Sequence, residues 1–195
     1  MYTIKEELEK ELIINKSKFI SKAYFVSSKE DALKILDNLK SKYKDASHIC
    51  YAYTIDNNIK YSDDGEPNNT AGLPIYNVID KNNLNHVLIA VIRYFGGIKL
   101  GAGGLTRAYS NSASLVINDN ITELIKGFLI NINLDYNYIK DVEYILKDTQ
   151  IQSKKFDKDI KVTFTIPVNN LEPIKEKLKK YIKELNIISK IYIRK

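Results

Sequence analysis

Two stretches of this 195-residue chain gather residues able to do chemistry. The first runs Tyr61-Ser62-Asp63-Asp64-Gly65-Glu66-Pro67 and on past Thr70 to Pro74. It sets three carboxylates, Asp63, Asp64 and Glu66, within four positions, with the hydroxyls of Ser62 and Thr70 nearby. Oxygen ligands at that density can hold Mg²⁺ or act as acid and base. The spacing is not that of a calcium EF-hand loop, because the ordered acidic positions and the closing Glu are missing. Asp-Gly and Glu-Pro are also turn-forming pairs, so the same residues suit a solvated turn.

The second stretch runs from Arg93-Tyr94-Phe95-Gly96-Gly97 through Lys99 and Gly101-Ala102-Gly103-Gly104 to Arg107. Glycines ahead of a helix let backbone N–H groups approach a ligand, and a helix amino terminus attracts anions. Arg93, Lys99 and Arg107 add positive charge, and Tyr94 is one of several tyrosines here able to stack on an unpaired base. No Gly-Lys-Ser/Thr closes a Walker motif, and the glycine spacing is not the dinucleotide-binding fingerprint. The pattern predicts anion binding without naming a nucleotide. Its competitor is structural: Gly96, Gly97, Gly101, Gly103 and Gly104 would serve tight turns and close helix-to-sheet packing.

A third grouping is weaker. His48 and Cys50 lie two apart on a strand pattern and so project to one side, the arrangement a Cys-His nucleophile needs. A lone cysteine on a face of small residues is more often packed core. With one cysteine and two histidines, a structural Cys/His zinc site cannot be built within the chain. No metal or cofactor is expected.

The elements that would position these groups follow from periodicity. Residues 3–14 and 17–26 read as two strands, the second bringing Phe19, Ala23 and Phe25 to one face. Ser27, three residues before Glu30, signals a helix over 29–44. Residues 48–55 alternate as a strand, 57–74 form a loop, and 75–82 a short helix. Val87 to Ile92 is a continuous aliphatic run, which suits a central strand buried on both faces. A helix over 105–119 follows the glycine turn, with Leu105, Ala108, Ser112 and Val116 on one side. Beyond it come strand 128–135, helix 137–148, strands 150–156 and 159–167, helix 170–185 and strand 187–193. That βαββαβ order is the ferredoxin-like motif.

Composition bounds the rest. The chain is 44% hydrophobic and 28% charged, ordinary for a folded protein, and long enough for two modest domains. No signal core or membrane-length apolar run is present, and a single cysteine excludes an internal disulfide, so a cytoplasmic location is expected. The net charge of +6 is uneven: residues 1–126 hold 16 Lys/Arg against 15 Asp/Glu, the remainder 14 against 9. Such an excess favours polyanionic partners, although the Asn-, Ile- and Lys-rich composition also fits AT-biased codon usage.

Taken together, Ser62-Asp63-Asp64-Gly65-Glu66-Pro67, Thr70-Ala71-Gly72, Arg93-Tyr94-Phe95-Gly96-Gly97 and Leu100-Gly101-Ala102-Gly103-Gly104-Leu105 closely resemble the double signature of the IMPACT/YigZ family. Ser17-Lys18-Phe19 and His48-Ile49-Cys50-Tyr51-Ala52 resemble it too, so the likeness covers most of residues 17–120. Asn68-Asn69 departs from it, because relatives tend to carry a small residue there. The resemblance implies an α+β protein: a ribosomal-protein-S5 domain-2-like domain over 1–124, then a ferredoxin-like domain over 125–195. The same two folds stand in tandem at the tail of elongation factor G. Eukaryotic relatives add an RWD domain for which this chain has no room, so no RWD-mediated partner is expected. Peptidase labels attached to some members lack the His and carboxylate ligands a dinuclear site needs.

The leading expectation is a non-enzymatic, translation-linked regulator that binds RNA or a ribosomal surface through Arg93, Lys99, Arg107 and the glycine turn. A rival is a Mg²⁺-dependent enzyme acting on a phosphorylated small molecule, with Asp63, Asp64 or Glu66 as ligand or base. A third reading is a protein-binding adaptor.

Overall fold

The chain opens with a short strand, β1 (Tyr2–Ile4), and a hairpin of β2 (Leu8–Ile14) and β3 (Ser17–Phe25). Asn15 and Lys16 take φ of 46° and 65°, the left-handed pair that a two-residue hairpin turn requires. The computed structural model describes residues 1–195, which fall into two units, Met1–Glu123 and Leu124–Lys195. None of its helices is long and apolar enough to cross a membrane.

In the first unit, α1 (Lys29–Lys42) is capped one residue later than the sequence suggests. Ser28 Oγ accepts the Asp31 N–H at 3.2 Å, while the Asp31 carboxylate accepts the Ser27 N–H. Ser28 is therefore the cap, and the carboxylate that reaches back, to Ser27, is that of Asp31 rather than Glu30. Strand β4 (His48–Ile55) turns at Asp56 into β5 (Asn58–Ser62), an edge strand inside the segment expected to be loop. Its side chains are almost all exposed, so it carries no buried alternation for a pattern to reveal. Helix α2 (Gly72–Lys81), strand β6 (Val87–Tyr94) and helix α3 (Gly101–Ile117) complete the unit.

The strands form one antiparallel sheet in the order β2-β3-β6-β4-β5, which puts β6 at its centre. Its side chains divide by parity. Val87, Ile89 and Val91 join the core under α2 and α3, while Leu88, Ala90 and Ile92 pack with α1 residues such as Leu36 and Leu39 on the opposite face. This double burial is what the uninterrupted aliphatic run requires.

The second unit runs β7 (Ile121–Leu134), α4 (Ile139–Ile145), β8 (Gln150–Phe156), β9 (Ile160–Pro167), α5 (Leu171–Leu178) and β10 (Ile182–Arg194). The first three residues of β7 belong to the first unit, where they pair with β1. Sheet order β10-β7-β9-β8 gives the ferredoxin-like arrangement, with Ile130, Ile132, Phe164 and Leu178 in its core. The α5 helix stops at Leu178, seven residues before the expected end. Ile182 and Leu185, expected on the inward helix face, lie instead on β10 and still pack against this core. A bulge between Ile182 and Glu184 lets residues three apart share one face of a strand, which mimics a helical period.

Candidate functional site

The acidic stretch leaves β5 at Ser62 and folds into a turn braced by its own carboxylates. Asp63 Oδ1 accepts the N–H groups of Ala71 and Gly72 at 3.0 and 2.8 Å, and Oδ2 accepts that of Asn69 at 2.9 Å. These include the start of α2, whose own N-cap residue, Ala71, supplies no side-chain cap. Asp63 thus caps that helix from a distance in sequence. Asp64, at φ 43°, uses its carboxylate to accept the Ile49 N–H at 2.6 Å. Ser62 Oγ accepts the Asp64 N–H, and Thr70 Oγ1 donates to the Pro67 carbonyl at 2.6 Å. Gly72 is required by space: a Cβ there would stand 2.7 Å from the Ser62 backbone.

Ser62, Asp63, Asp64 and Thr70 are therefore committed to holding the turn. No three metal-ligating side chains converge on one point. Asp63 spends three of its roughly four acceptor sites on backbone N–H groups and Asp64 one, so both carboxylates are oriented by the turn.

Glu66 has a different fate. Its side chain is 4% exposed, and its Oε1 accepts from Arg93 Nη1 at 2.6 Å and from the Tyr109 hydroxyl at 2.8 Å. Arg93 Nη2 reaches Ser17 Oγ at 3.4 Å, and its guanidinium lies between the rings of Phe19 and Phe95, 5.5 Å from each centroid. Arg93, expected as a phosphate contact, is itself buried at 5% exposure and neutralised by Glu66. Tyr94 points the other way, as alternation on β6 demands: it packs beside α1-face residues, and its hydroxyl donates to Asp45 at 3.1 Å. It takes no part in the glycine-rich face.

Cys50 joins the same buried network. Its thiol lies 2.9 Å from the Asp63 carbonyl and 3.3 Å from the Tyr109 hydroxyl. Burial pushes both the Cys50 thiol and the Tyr109 phenol well above their ordinary ranges, so both stay protonated as donors. A protonated, fully buried thiol is no nucleophile. His48 Nδ1 donates to the Asp64 carbonyl at 2.7 Å, which leaves Nε2 4.0 Å from Glu66 Oε2 and makes the ring a brace of the turn.

The glycines divide by role. A Cβ on Gly96 would sit 2.0 Å from the Lys16 backbone, so Gly96 exists for the close approach of the β2–β3 turn. Gly97 and Gly101 hold φ of 86° and 69° with open space around them. Gly101, Gly103 and Gly104 do not form a turn before the helix but make up its first turn, since α3 begins at Gly101. Gly101 and Gly103 are exposed, and no side chain caps the helix. Its first N–H groups thus face solvent without a protein acceptor from a side chain. Lys99 and Arg107 flank this end, both exposed and neither in an ion pair. Arg107 folds back along the helix, its Nη1 3.5 Å from where a Gly103 Cβ would be.

Both stretches line one cleft of about 350 Å³ within the first unit. Glu66 and Pro67 form one wall, Phe95, Lys99 and the α3 start the other, with Leu100 and Leu105 between. Phe95, 49% exposed, is a lining residue that the charge and glycine pattern did not single out. Its position next to Gly96-Gly97 was the only signal in sequence.

The Impact N-terminal domain model matches residues 15–117, which hold every residue of this cleft. The chain belongs to the IMPACT family. This IMPACT-family chain is 37% identical over 175 residues to the family member YvyE of Bacillus subtilis, covering 88% of this chain and 81% of that protein. It is 30% identical over 173 residues to a family member of Haemophilus influenzae, covering 85% and 84%. A crystal structure described only as a hypothetical protein matches at TM-score 0.64 and 22% identity, over 96% of this chain and 97% of that one. It shares the two-domain α+β fold.

Proposed function

We propose that this IMPACT-family chain is a non-enzymatic, translation-linked regulator in the cytoplasm that binds RNA or a ribosomal surface through the α3 end of the cleft. One observation carries the reading: the one carboxylate that lines the cleft, Glu66, is neutralised by Arg93, while the cationic glycine side has no acidic partner. Asp63 and Asp64 are spent on backbone N–H groups and Glu66 on Arg93. At the α3 end of the cleft, what faces solvent is cationic: Lys99, Arg107 and the bare first turn of α3. A helix start of this kind favours a phosphate, and two unpaired side-chain cations add to it. Phe95, backed by the Arg93 guanidinium, offers a ring on which an unpaired base can stack. The translational link rests on the resemblance of the tandem fold order to the tail of elongation factor G. Weighing against the enzyme reading, Asp63 and Asp64 accept backbone N–H groups of the turn and Glu66 pairs with Arg93.

The test is anisotropy titration of a labelled single-stranded RNA across a salt series. Lys99→Gln and Arg107→Gln should each weaken binding and lower the salt slope by about 0.7 for each phosphate left without its cation. Wild-type protein that binds no RNA and no ribosomes at low salt would refute the reading.

A further inference from the structure

We infer that the second unit carries its own site for an unpaired nucleotide of single-stranded RNA, built on the β7–β10 pair and independent of the α3 end. The register sets Lys126 opposite Tyr192 and Phe128 opposite Lys190. Directly paired residues project to the same side of a sheet, as do residues two apart on one strand. The four side chains therefore form a square on one face, with the aromatic rings on one diagonal and the ammonium groups on the other. Together with Val168 they line a cavity of about 330 Å³. Gly127 lets the strands run this close, because a Cβ there would fall 2.5 Å from the Ile166 carbonyl oxygen and 2.4 Å from Ile193 Cδ1.

The chemistry of the square selects its occupant. Lys126 and Lys190 are exposed and form no ion pair, so each retains a charge to spend on a partner. Phe128 and Tyr192 are half-buried, which fixes their rings while leaving surface on the cavity. A simple anion has no use for the rings, and an aliphatic chain has none for the lysines. A nucleotide uses both: its base stacks on a ring and its phosphates meet the ammonium groups. A duplex keeps its bases stacked away from such a pocket, so the strand must be single. The field around the site agrees, for this unit holds 15 Lys/Arg against 9 Asp/Glu, whereas the first unit is balanced at 15 each.

The test uses the full chain and a single-stranded RNA of about 12 nucleotides carrying 4-thiouridine, with cross-links mapped by mass spectrometry. Cross-links at Phe128 or Tyr192 are expected. Tyr192→Leu should weaken single-strand binding about tenfold and leave duplex binding and the salt slope unchanged. Lys126→Gln with Lys190→Gln should lower the salt slope by about 1.4. Unaltered thermal unfolding of each variant establishes that the fold is intact; for a variant that melts early, Tyr192→Phe should restore both stability and binding. Cross-links confined to the first unit, or affinities within about twofold of wild type in both variants, would overturn the inference. Loss of binding to anionic phospholipid vesicles in these variants, without any RNA cross-link, would do so as well. The α3 reading is probed separately by Lys99 and Arg107, so either site can fail while the other stands.

Discussion

At the scale of single residues, the decisive fact is which charge is buried against which. Glu66 and Arg93 meet at 2.6 Å, both nearly out of solvent, so removing either partner strands the other. Arg93→Met should cost about 3–5 kcal/mol in urea unfolding. Adding Glu66→Gln, which removes the stranded charge and keeps an acceptor for Tyr109, should recover much of that stability. A single-variant cost below about 1 kcal/mol would show that the pair is not desolvated as described. Cys50 gives a second check. Burial raises its pKa, so between the ordinary thiol value of about 8.5 and the raised folded value the unfolded chain holds fewer protons than the folded one. Stability should therefore fall as pH rises through that window, and Cys50→Ala should flatten the fall. Native Cys50 should also react with a thiol reagent only at the rate of unfolding.

These fates were only partly legible in the sequence. The cluster of Asp63, Asp64 and Glu66 stands out by spacing, but its partners do not. Ile49, Ala71 and Arg93 come from other elements, and only the fold brings their N–H groups and guanidinium to the carboxylates. A carboxylate's role depends on those donors, so spacing favoured a turn without excluding a metal ligand or a base. The cysteine was easier, because the small-residue face of β4 already pointed to core.

At the scale of elements, the strands and helices with a buried stripe were readable and those without one were not. The double-sided burial of β6 follows from its uninterrupted aliphatic run. The exposed edge strand β5 has no stripe, and α3 starts four residues earlier than its apolar face because glycine's low helix propensity disguises the first turn. That disguised turn makes a prediction of opposite signs. Gly103 is exposed and has helical backbone, and an added Cβ would make only ordinary contact with Arg107. Gly103→Ala should raise stability by up to about 1 kcal/mol and weaken RNA binding, because the methyl group stands where a phosphate approaches. Gly101→Ala, at φ 69°, should lose stability instead. Paired thermal unfolding and RNA titrations separate the two outcomes.

At the scale of the molecule, charge and glycine are segregated. Seven of the eight glycines lie between Gly65 and Gly104, and the entire net charge lies in the second unit. Long-range attraction of a polyanion should thus come from the basic unit, and close approach to a phosphate from the glycine-bearing one. This division was legible in sequence as a change of composition, while the convergence of acidic turn and helix start on one cleft was not, because β6 separates them along the chain. The deciding experiment is a titration of single-stranded RNA into the ¹⁵N-labelled full chain, followed through the well-separated glycine amide signals. Gly101 and Gly103 should shift progressively, with Phe95 and Lys99, while Gly72 stays still inside its braced turn. RNA that binds without moving Gly101 or Gly103 would mean that the phosphate does not sit at the bare start of α3.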